Sequence, residues 1–292
     1  MQEANEFQNT TQNTIQNTII IKKDQFDKFY TKNSVAKFCV EKLLNYVCDD
    51  YLFIEPSAGS GAFCDALLDS NINNIYAIDI QPTKNSIEKN NVSYPIYAKD
   101  FFNFNRTDPQ KLVFIGNPPF GKCANMAVKF FNHAASFLQT EIIAFIVPKT
   151  FQKISIHNKL NVSFAIVSEC ELPKNSFLLN GQSYDVPCVF QIWQRCNAPR
   201  VALKLFEEKY LKFVTKSEAD FAIRRVGGNA GKVLQGLEHN PSTTYFCKEL
   251  MPNTKNIIEG IDFSQIANAT AGVRSISKLE IQMAINKYYN EI

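Results

Sequence analysis

Short apolar runs that alternate with longer amphipathic segments constrain this chain more than any other feature of its sequence. Five such runs follow one another, at 51–54, 75–78, 95–98, 112–115 and 142–147. Strands separated by helix-length segments are typical of a parallel sheet with helices on both faces. Two more runs, 163–167 and 188–193, are joined without room for a long helix, so the last is expected to pair antiparallel beside its predecessor. The predicted fold class is α/β, a Rossmann-like sheet of about seven mostly parallel strands whose last strand is antiparallel.

Changes in composition along the chain predict three parts. Residues 1–22 repeat Gln-Asn-Thr three times, and this polar low-complexity stretch is expected to be disordered. The catalytic domain is predicted over 23–196, and a small α+β extension that could recognise the target over 200–292. The extension is expected to contain two short strands and a terminal helix, at 221–226, 245–250 and 277–288.

An amphipathic helix is predicted ahead of the first strand. Apolar residues recur every three or four positions from Val35 to Val47. Asn33 or Ser34 is the expected cap, because short polar side chains satisfy the free amides at a helix start.

The composition excludes several classes of protein. With 45% hydrophobic residues and 24 Phe, the chain can bury a core, so wholesale disorder and collagen-like repeats are excluded. The longest apolar stretch, 142–147, is far below the ~18 residues that span a bilayer, and no cationic leader precedes an apolar run. Eight scattered Cys without a Cys-x-x-Cys pair, and only three His, argue against zinc. A soluble, unsecreted protein with free thiols is expected, cytoplasmic or, in a eukaryotic or viral setting, nuclear.

The net charge of +3 is not spread evenly along the chain. Residues 200–292 carry 13 basic and 10 acidic side chains, whereas residues 1–199 carry 18 of each. The surplus in the extension is compatible with a face that contacts phosphates. A mixed solvated surface is the equal alternative.

A glycine-containing loop follows the first predicted strand and reads Glu55-Pro-Ser-Ala-Gly-Ser-Gly61. Gly59 and Gly61 at a strand-to-helix turn let the backbone approach a ligand closely, since a side chain there would collide with it. A dinucleotide-binding loop would have a third glycine where this chain has Cys64, and Glu55 would repel a pyrophosphate. The same carboxylate suits the cationic amino acid end of S-adenosylmethionine (SAM). An ordinary turn is the alternative for a Gly-x-Gly pair taken alone.

Two further carboxylates follow the next two predicted strands. Asp79 comes 18 residues after Gly61, where a carboxylate can accept both hydroxyls of a ribose. Asp100 can accept from the exocyclic amine of an adenine, with Phe101 packed on the ring. The alternative for Asp100 is a helix N-cap or turn residue.

The sharpest signal is the loop 116–121, Gly-Asn-Pro-Pro-Phe-Gly, directly after the fourth predicted strand. Pro118 and Pro119 fix two φ angles and remove two donors, so the loop is stiff and presents bare carbonyls. Asn117 Oδ1 and the Pro118 carbonyl can each accept a hydrogen bond from an aromatic amine, while Phe120 stacks on its ring. No general base is required, because the nitrogen loses its proton after it has become cationic. A turn without function is the alternative.

The order of these segments resembles that of class I SAM-dependent methyltransferases, specifically the amino-methyltransferases that modify adenine N6. Their acceptor motif is Asp, Asn or Ser, then Pro-Pro, then Tyr, Phe or Trp, and 117–120 satisfies it. Their cofactor loop is similar to 55–61, and their leading segment, in which a Thr touches the cofactor, resembles 29–35. A leading segment, glycine loop, acceptor motif and C-terminal extension in this order is the arrangement often labelled gamma. The resemblance covers about 24–193 and implies a monomer or dimer acting on DNA or RNA.

The resemblance also implies SAM as the cofactor, no metal, and two sets of site residues. The implied catalytic residues are Asn117, Pro118, Pro119 and Phe120. The implied cofactor-binding residues are Tyr30, Thr31, Glu55, Pro56, Ser57, Ala58, Gly59, Gly61, Asp79, Ile80, Asp100, Phe101 and Asn117.

A third set of residues concerns the substrate. Adenine N6 inside a duplex cannot reach a buried methyl donor, so the nucleotide must be flipped out or already single-stranded. Phe177 is a candidate second stacking face, with core packing as the equal alternative. Lys122 is a candidate for the phosphate of the flipped nucleotide, against a solvated lysine. Arg224 and Arg225, ahead of a glycine-rich turn that ends at Lys232, are candidates for phosphate contacts; a plain hairpin with salt-bridged arginines is the alternative.

Four functions stay open at this point. Methylation of adenine N6 in DNA is favoured by the gamma-like order and the extension, followed by the same chemistry on structured RNA. Methylation of a protein glutamine also uses an Asn-Pro-Pro-aromatic loop, although those enzymes usually carry Tyr and end near the last strand. A non-catalytic methyltransferase-like subunit is the fourth, and the complete set of motifs argues against it. A homodimer or a separate recognition subunit is compatible with each.

Overall fold

The computed structural model describes residues 29–47, 50–107, 109–204, 207–270 and 272–290. The predicted disorder of 1–22 lies outside the described residues. The strands, in chain order, are β1 (Tyr30–Thr31), β2 (Leu52–Glu55), β3 (Ile75–Asp79), β4 (Ser86–Lys89), β5 (Val92–Ala98), β6 (Leu112–Gly116), β7 (Thr140–Pro148), β8 (Phe164–Glu171), β9 (Phe177–Leu179), β10 (Gln182–Tyr184), β11 (Cys188–Arg195), β12 (Leu211–Val214), β13 (Phe221–Arg224), β14 (Val233–Leu234) and β15 (Thr244–Glu249). The α-helices are α1 (Asn33–Leu43), α2 (Ala62–Asp69), α3 (Asn125–Ser136), α4 (Ile154–His157), α5 (Thr254–Gly260), α6 (Ser264–Asn268) and α7 (Lys278–Asn290).

The main sheet has the strand order β4-β5-β3-β2-β6-β7-β11-β8. From β5 to β7 all neighbours are parallel, and β11 runs antiparallel to both β7 and β8. The α/β prediction, with an antiparallel last strand beside its predecessor, is therefore confirmed. In the described residues this sheet has eight strands rather than about seven, because β4 adds an antiparallel edge to β5.

The extra strand β4 occupies the segment between β3 and β5 where a helix was expected. Asn90 and Asn91 join β4 to β5, with φ of 50° and 64°. Two consecutive residues with positive φ form the tight turn that matches the twist of a hairpin, and Asn tolerates that conformation. The Asn-Asn pair is thus the local sequence signal for the β4–β5 hairpin.

Helices cover the two faces of the main sheet and form two cores. Val113 and Ile115 of β6 pack into the core that contains α1 and α2, whereas Leu112 and Phe114 pack into the core that contains α3. Both faces of each central strand are therefore buried, which is why these strands appear as unbroken apolar runs. The helix begins at Asn33, as expected for a cap near Asn33 or Ser34, but the cap residue is Lys32 and its side chain makes no capping hydrogen bond.

A small sheet of order β1-β9-β10 ties the N-terminal end of the described chain to the segment between β8 and β11. Tyr30 pairs with Leu178 and Thr31 with Phe177. The hairpin β9–β10 closes through Asn180 and Gly181, which have φ of 51° and 76°. This pairing places residues 29–31 beside the carboxyl ends of the parallel strands.

The C-terminal region forms a second, antiparallel sheet of order β12-β15-β13-β14, packed with α5 and α7 around its own core. The strands and helix predicted at 221–226, 245–250 and 277–288 are present within a few residues. The domain boundaries themselves stay a prediction. None of the described helices has the length and hydropathy needed to cross a bilayer.

Candidate functional site

The order of the main sheet reverses at β2, since the chain continues outward to β3 on one side and returns to β6 on the other. Such a switch point opens a crevice at the carboxyl ends of the strands, where α/β folds bind ligands. A cavity of about 400 Å³ lies there. Almost all of the predicted catalytic and cofactor-binding residues line it: Tyr30, Thr31, Glu55, Pro56, Ser57, Ala58, Gly59, Asp79, Ile80, Asp100, Phe101, Asn117, Pro118, Pro119 and Phe120.

Hydrogen bonds to β3 hold the glycine loop in place. The Asp79 carboxylate accepts from Gly59 N and from Gln81 N, each at 2.7 Å, and Ala58 N donates to the Ile78 carbonyl at 2.9 Å. Asp79 is 8% exposed and each of its oxygens already has one backbone donor. Because a carboxylate oxygen has two lone pairs, capacity for a ribose hydroxyl remains.

The two glycines of the loop have different environments. Gly59 has φ +53°, and a Cβ there would lie 3.2 Å from the Tyr30 ring. Gly61 is the N-cap of α2 with φ +84°, and its Cβ would lie 2.7 Å from Ile87 Cδ1. Gly61 is not among the residues that line the cavity, so its close approach to a ligand stays a prediction. A left-handed φ and packing against Ile87 explain this glycine.

The carboxyl of Glu55 is buried at the floor of the cavity. Burial raises its pKa to about 8, with repulsion from Asp79 in the same direction, against the opposing hydrogen bond that Cys64 Sγ donates at 3.4 Å. Gly116 makes room for this side chain, because a Cβ there would lie 3.1 Å from Glu55 Oε1. A buried acid with a raised pKa inside a cleft is typical of a ligand site.

The Asn117 side chain has one satisfied end and one unsatisfied end. Its Nδ2 donates to the Phe29 carbonyl at 3.0 Å. Its Oδ1 is buried and has no hydrogen-bond partner among the described residues, and the same is true of Thr31 Oγ1 and Ser57 Oγ. Buried polar atoms are nearly always paired in native proteins. Three unpaired atoms around one cavity therefore indicate that a polar ligand completes them.

The residues after β5 differ from the prediction. Phe101 lines the cavity but is 2% exposed and packs on Phe114 and Phe130, so most of its ring belongs to the core, and its contact with adenine stays a prediction. Phe102 lines the cavity at 38% exposure and is the available aromatic face. Asp100 Oδ1 accepts from Phe102 N at 2.9 Å as the cap of a 3₁₀ turn, which was its alternative interpretation, although it also lines the cavity.

Phe177 is wrong as a stacking face for the substrate. It is fully buried in the core, where its ring lies 6.3 Å from that of Phe29. The aromatic residue that lies beside Phe29 at the surface is Tyr184, at 5.2 Å and nearly parallel. The Phe29 ring lies in turn 6.5 Å from the half-buried Phe120 ring. Alternation along the β9–β10 hairpin places Phe177 inward, and the Asn-Gly turn is the signal that could have revealed it.

The predicted phosphate contacts do not line the cavity. Lys122 is exposed in the turn after the acceptor loop. Arg224 donates to Thr243 Oγ1 at 2.9 Å, and the Arg225 guanidinium lies 5.3 Å from the Tyr245 ring centroid. The segment forms the hairpin of the alternative interpretation, since β13 pairs with β14, but the printed contacts of the two arginines are with Thr243 and Tyr245 rather than with carboxylates. The phosphate contacts themselves stay a prediction. In the described part of the chain, no group of three or more His, Cys, Asp or Glu side chains is arranged to hold a metal ion.

No protein-family model matches the sequence, and no curated protein is significantly similar to it. Solved structures with a similar fold include a modification subunit ascribed to a type I restriction enzyme from Vibrio vulnificus, at 18% identity and a TM-score of 0.42. That match covers 57% of this chain and 44% of the subunit, so this chain spans less than half of it. The 23S rRNA methyltransferase ErmE matches at 13% identity and a TM-score of 0.43, and the match covers 61% of this chain and 72% of ErmE. TrmN from Thermus thermophilus matches at 15% identity and a TM-score of 0.38, and the match covers 56% of this chain and 49% of TrmN. Likeness at this level specifies no substrate.

Proposed function

We propose that the chain transfers a methyl group from SAM to the N6 amine of adenine in DNA. The observation that carries this proposal is Asn117 Oδ1, an unpaired acceptor buried at the edge of a cavity whose other polar groups suit SAM. The SAM sulfonium would supply the methyl group.

The cavity offers a partner for each part of SAM. The carboxyl of Glu55 can accept a hydrogen bond from the SAM ammonium, whose positive charge would favour loss of the Glu55 proton. Thr31 Oγ1 and Ser57 Oγ are buried atoms without a hydrogen-bond partner among the described residues. Asp79 can accept from the ribose. Ile80, 57% exposed, and Phe102 supply apolar surface for the adenine. The residues present therefore fit this cofactor, and the volume of about 400 Å³ lies in the range of ligand pockets.

The acceptor end of the cavity suits an amine held by rigid oxygens. Asn117 Oδ1 and the Pro118 carbonyl accept from the two N–H groups of adenine N6, and Phe120 contacts the base. Because two prolines stiffen the loop, these acceptors are in place before the substrate binds, and positioning is the main contribution that such a transfer needs. The base reaches them only from a single strand or after flipping.

Two measurements test the proposal. Titration calorimetry should show SAM binding to the full chain, and tritium from labelled SAM should appear in duplex DNA, with adenine N6 as the modified atom. Transfer to RNA alone would redirect the substrate assignment to the runner-up. Tight SAM binding without transfer to any adenine-containing polymer would refute the nucleic-acid assignment and favour a protein acceptor or a non-catalytic role.

A further inference from the structure

The orientation of the Asn117 amide decides whether this side chain can hold an amine. Oδ1 accepts hydrogen bonds and Nδ2 only donates them, so a rotation of the amide by 180° would present donors to a substrate that itself donates. The stiff proline pair does not prevent this rotation, because the side chain turns about its own bonds. Another group must select the productive orientation.

The backbone carbonyl of Phe29 makes that selection. It is an acceptor only, and Nδ2 lies 3.0 Å from it. In the rotated state Oδ1 would face this carbonyl, and two acceptors would lie in contact in a partly buried site, which is costly. The carbonyl thus holds Nδ2 on its own side of the amide and leaves Oδ1 on the other side, buried and unpaired among the described residues, in a residue that lines the cavity.

Four contacts fix the position of this carbonyl. Phe29 stacks on Tyr184 with ring centroids 5.2 Å apart and planes inclined by 9°. Strand β1 directly after it pairs with β9, and Lys32 donates from N to the Ser176 carbonyl at 3.1 Å and from Nζ to Ser183 Oγ at 2.8 Å. The stack and the Lys32–Ser183 contact both reach the β10 strand, which follows the Asn-Gly turn.

We propose that the Phe29 carbonyl is the positioning group for Asn117, and that the Phe29–Tyr184 stack keeps it in place. The effect on turnover rests on the proposed methyl transfer. The orientation of the Asn117 amide does not depend on it. Tyr184 does not line the cavity, and it acts on the reaction through Phe29 and Asn117 rather than by contact with the reacting atoms.

Kinetics of Tyr184→Ala test the inference. The turnover number kcat should fall by about tenfold, while KM for the polymer and Kd for SAM change by no more than about twofold. Tyr184→Phe keeps the stack and should restore kcat. Tyr97→Ala is the matched control, because Tyr97 is also 37% exposed and stacked, on Tyr76 at 4.5 Å, and does not line the cavity. An increase in KM with unchanged kcat would show that Tyr184 contacts the substrate directly, and would overturn the inference.

A double-mutant cycle separates action through Asn117 from independent action. In the Asn117→Ala background, Tyr184→Ala should have no further effect on the single-turnover rate, because the group that it positions is gone. Additive losses would contradict the inference.

The side-chain amide of Asn117 gives a readout that does not need catalysis. Its NMR signals, identified by their loss in Asn117→Asp, should show one protected proton in the wild type and in Tyr184→Phe. Protection should drop in Tyr184→Ala. Equal protection in Tyr184→Ala would overturn the inference whether or not the chain transfers methyl groups. A protected amide in a chain without transferase activity would refute only the proposed function.

Discussion

At the scale of single residues, the environment rather than the residue type gives the site its chemistry. Glu55 could be recognised as a loop acid from the sequence, but its raised pKa follows from burial at the foot of the cavity. Asn117 could be recognised from its motif, but its unpaired oxygen follows from the contact of its nitrogen with Phe29. Two residues with ordinary intrinsic properties thus become a neutral acid and a fixed acceptor.

Replacement of Asn117 by Ala should separate turnover from cofactor binding. We expect kcat to fall by about 10²–10³-fold, as for other single positioned groups, because the adenine amine loses an acceptor. The Kd for SAM should change by no more than about threefold, since Asn117 is proposed to bind the methyl-accepting adenine rather than SAM. Single-turnover kinetics and calorimetry measure the two quantities. Asn256→Ala, on the exposed face of α5, is the control, and equal losses of binding and turnover would show that the loop is wrongly assigned.

Replacement of Glu55 by Gln should remove a pH dependence of stability. The pKa of Glu55 is about 8 in the folded chain against an ordinary 4.5, so between these values only the folded chain holds the proton. The protonated Glu55 therefore contributes to the free energy of unfolding, and this contribution is fully present below about pH 4.5. As the pH rises from there through about 8, the free energy of unfolding falls by roughly 1.4 kcal/mol per pH unit until the contribution is lost. Urea unfolding of both proteins from pH 5 to 9 measures the difference. A difference that does not vary with pH would contradict the assignment.

At the scale of elements, the strands of the sheet were predictable and the hairpins were not. Unbroken apolar runs identified the central strands, because both faces of a parallel strand are buried. The hairpins β4–β5 and β9–β10 were not predicted, because β4 and β10 are edge strands without that pattern and β9 has only three residues. Their signals are the Asn90-Asn91 and Asn180-Gly181 turns, at which both residues have positive φ.

The start of α2 provides a prediction at this scale. Gly61→Ala should lower the free energy of unfolding by roughly 1–3 kcal/mol, because φ of +84° is strained for Ala and its Cβ would meet Ile87. Gly181→Ala is the matched control, since φ is +76° there and no atom lies within 4 Å of the added Cβ. Chemical denaturation measures both. We expect the larger loss at Gly61, and equal losses would show that contact with Ile87 does not matter.

At the scale of the whole molecule, a buried ion pair joins the C-terminal region to the main sheet. Lys153, after β7, donates from Nζ to the carbonyls of Ile266 and Ser275 at 2.7 Å and lies 3.3 Å from the carboxylate of Glu280. Both charged residues are buried, and burial lowers the pKa of Lys153 against the opposing attraction of Glu280. Nothing in the spacing of residues 153 and 280 along the chain predicts this contact.

Lys153→Met should weaken the attachment of the C-terminal region. It leaves the buried Glu280 carboxylate without its cation and with only Ser277 N and Oγ as donors among the described residues, and removal of one partner of a buried ion pair typically costs about 3–5 kcal/mol. Trp193, the single tryptophan, lies in β11 and reports on the main sheet by its fluorescence, whereas circular dichroism reports on the whole chain. We expect the two urea transitions to coincide in the wild type and to separate in Lys153→Met. The double variant Lys153→Met/Glu280→Leu should bring them back together, and coincident transitions in Lys153→Met would contradict the prediction.

The sequence by itself determined the class of fold, the place of the crevice and most of the residues around it, because these depend on local patterns: apolar runs, a glycine loop and a proline-stiffened loop. The tertiary structure alone decided which faces of those residues are available. It buried Phe101 and Phe177, turned Gly61 toward Ile87, and brought the Phe29 carbonyl against Asn117. Such contacts join distant positions, such as Phe29 and Asn117, which are 88 residues apart. No local pattern encodes them, because they depend on how whole strands and helices pack.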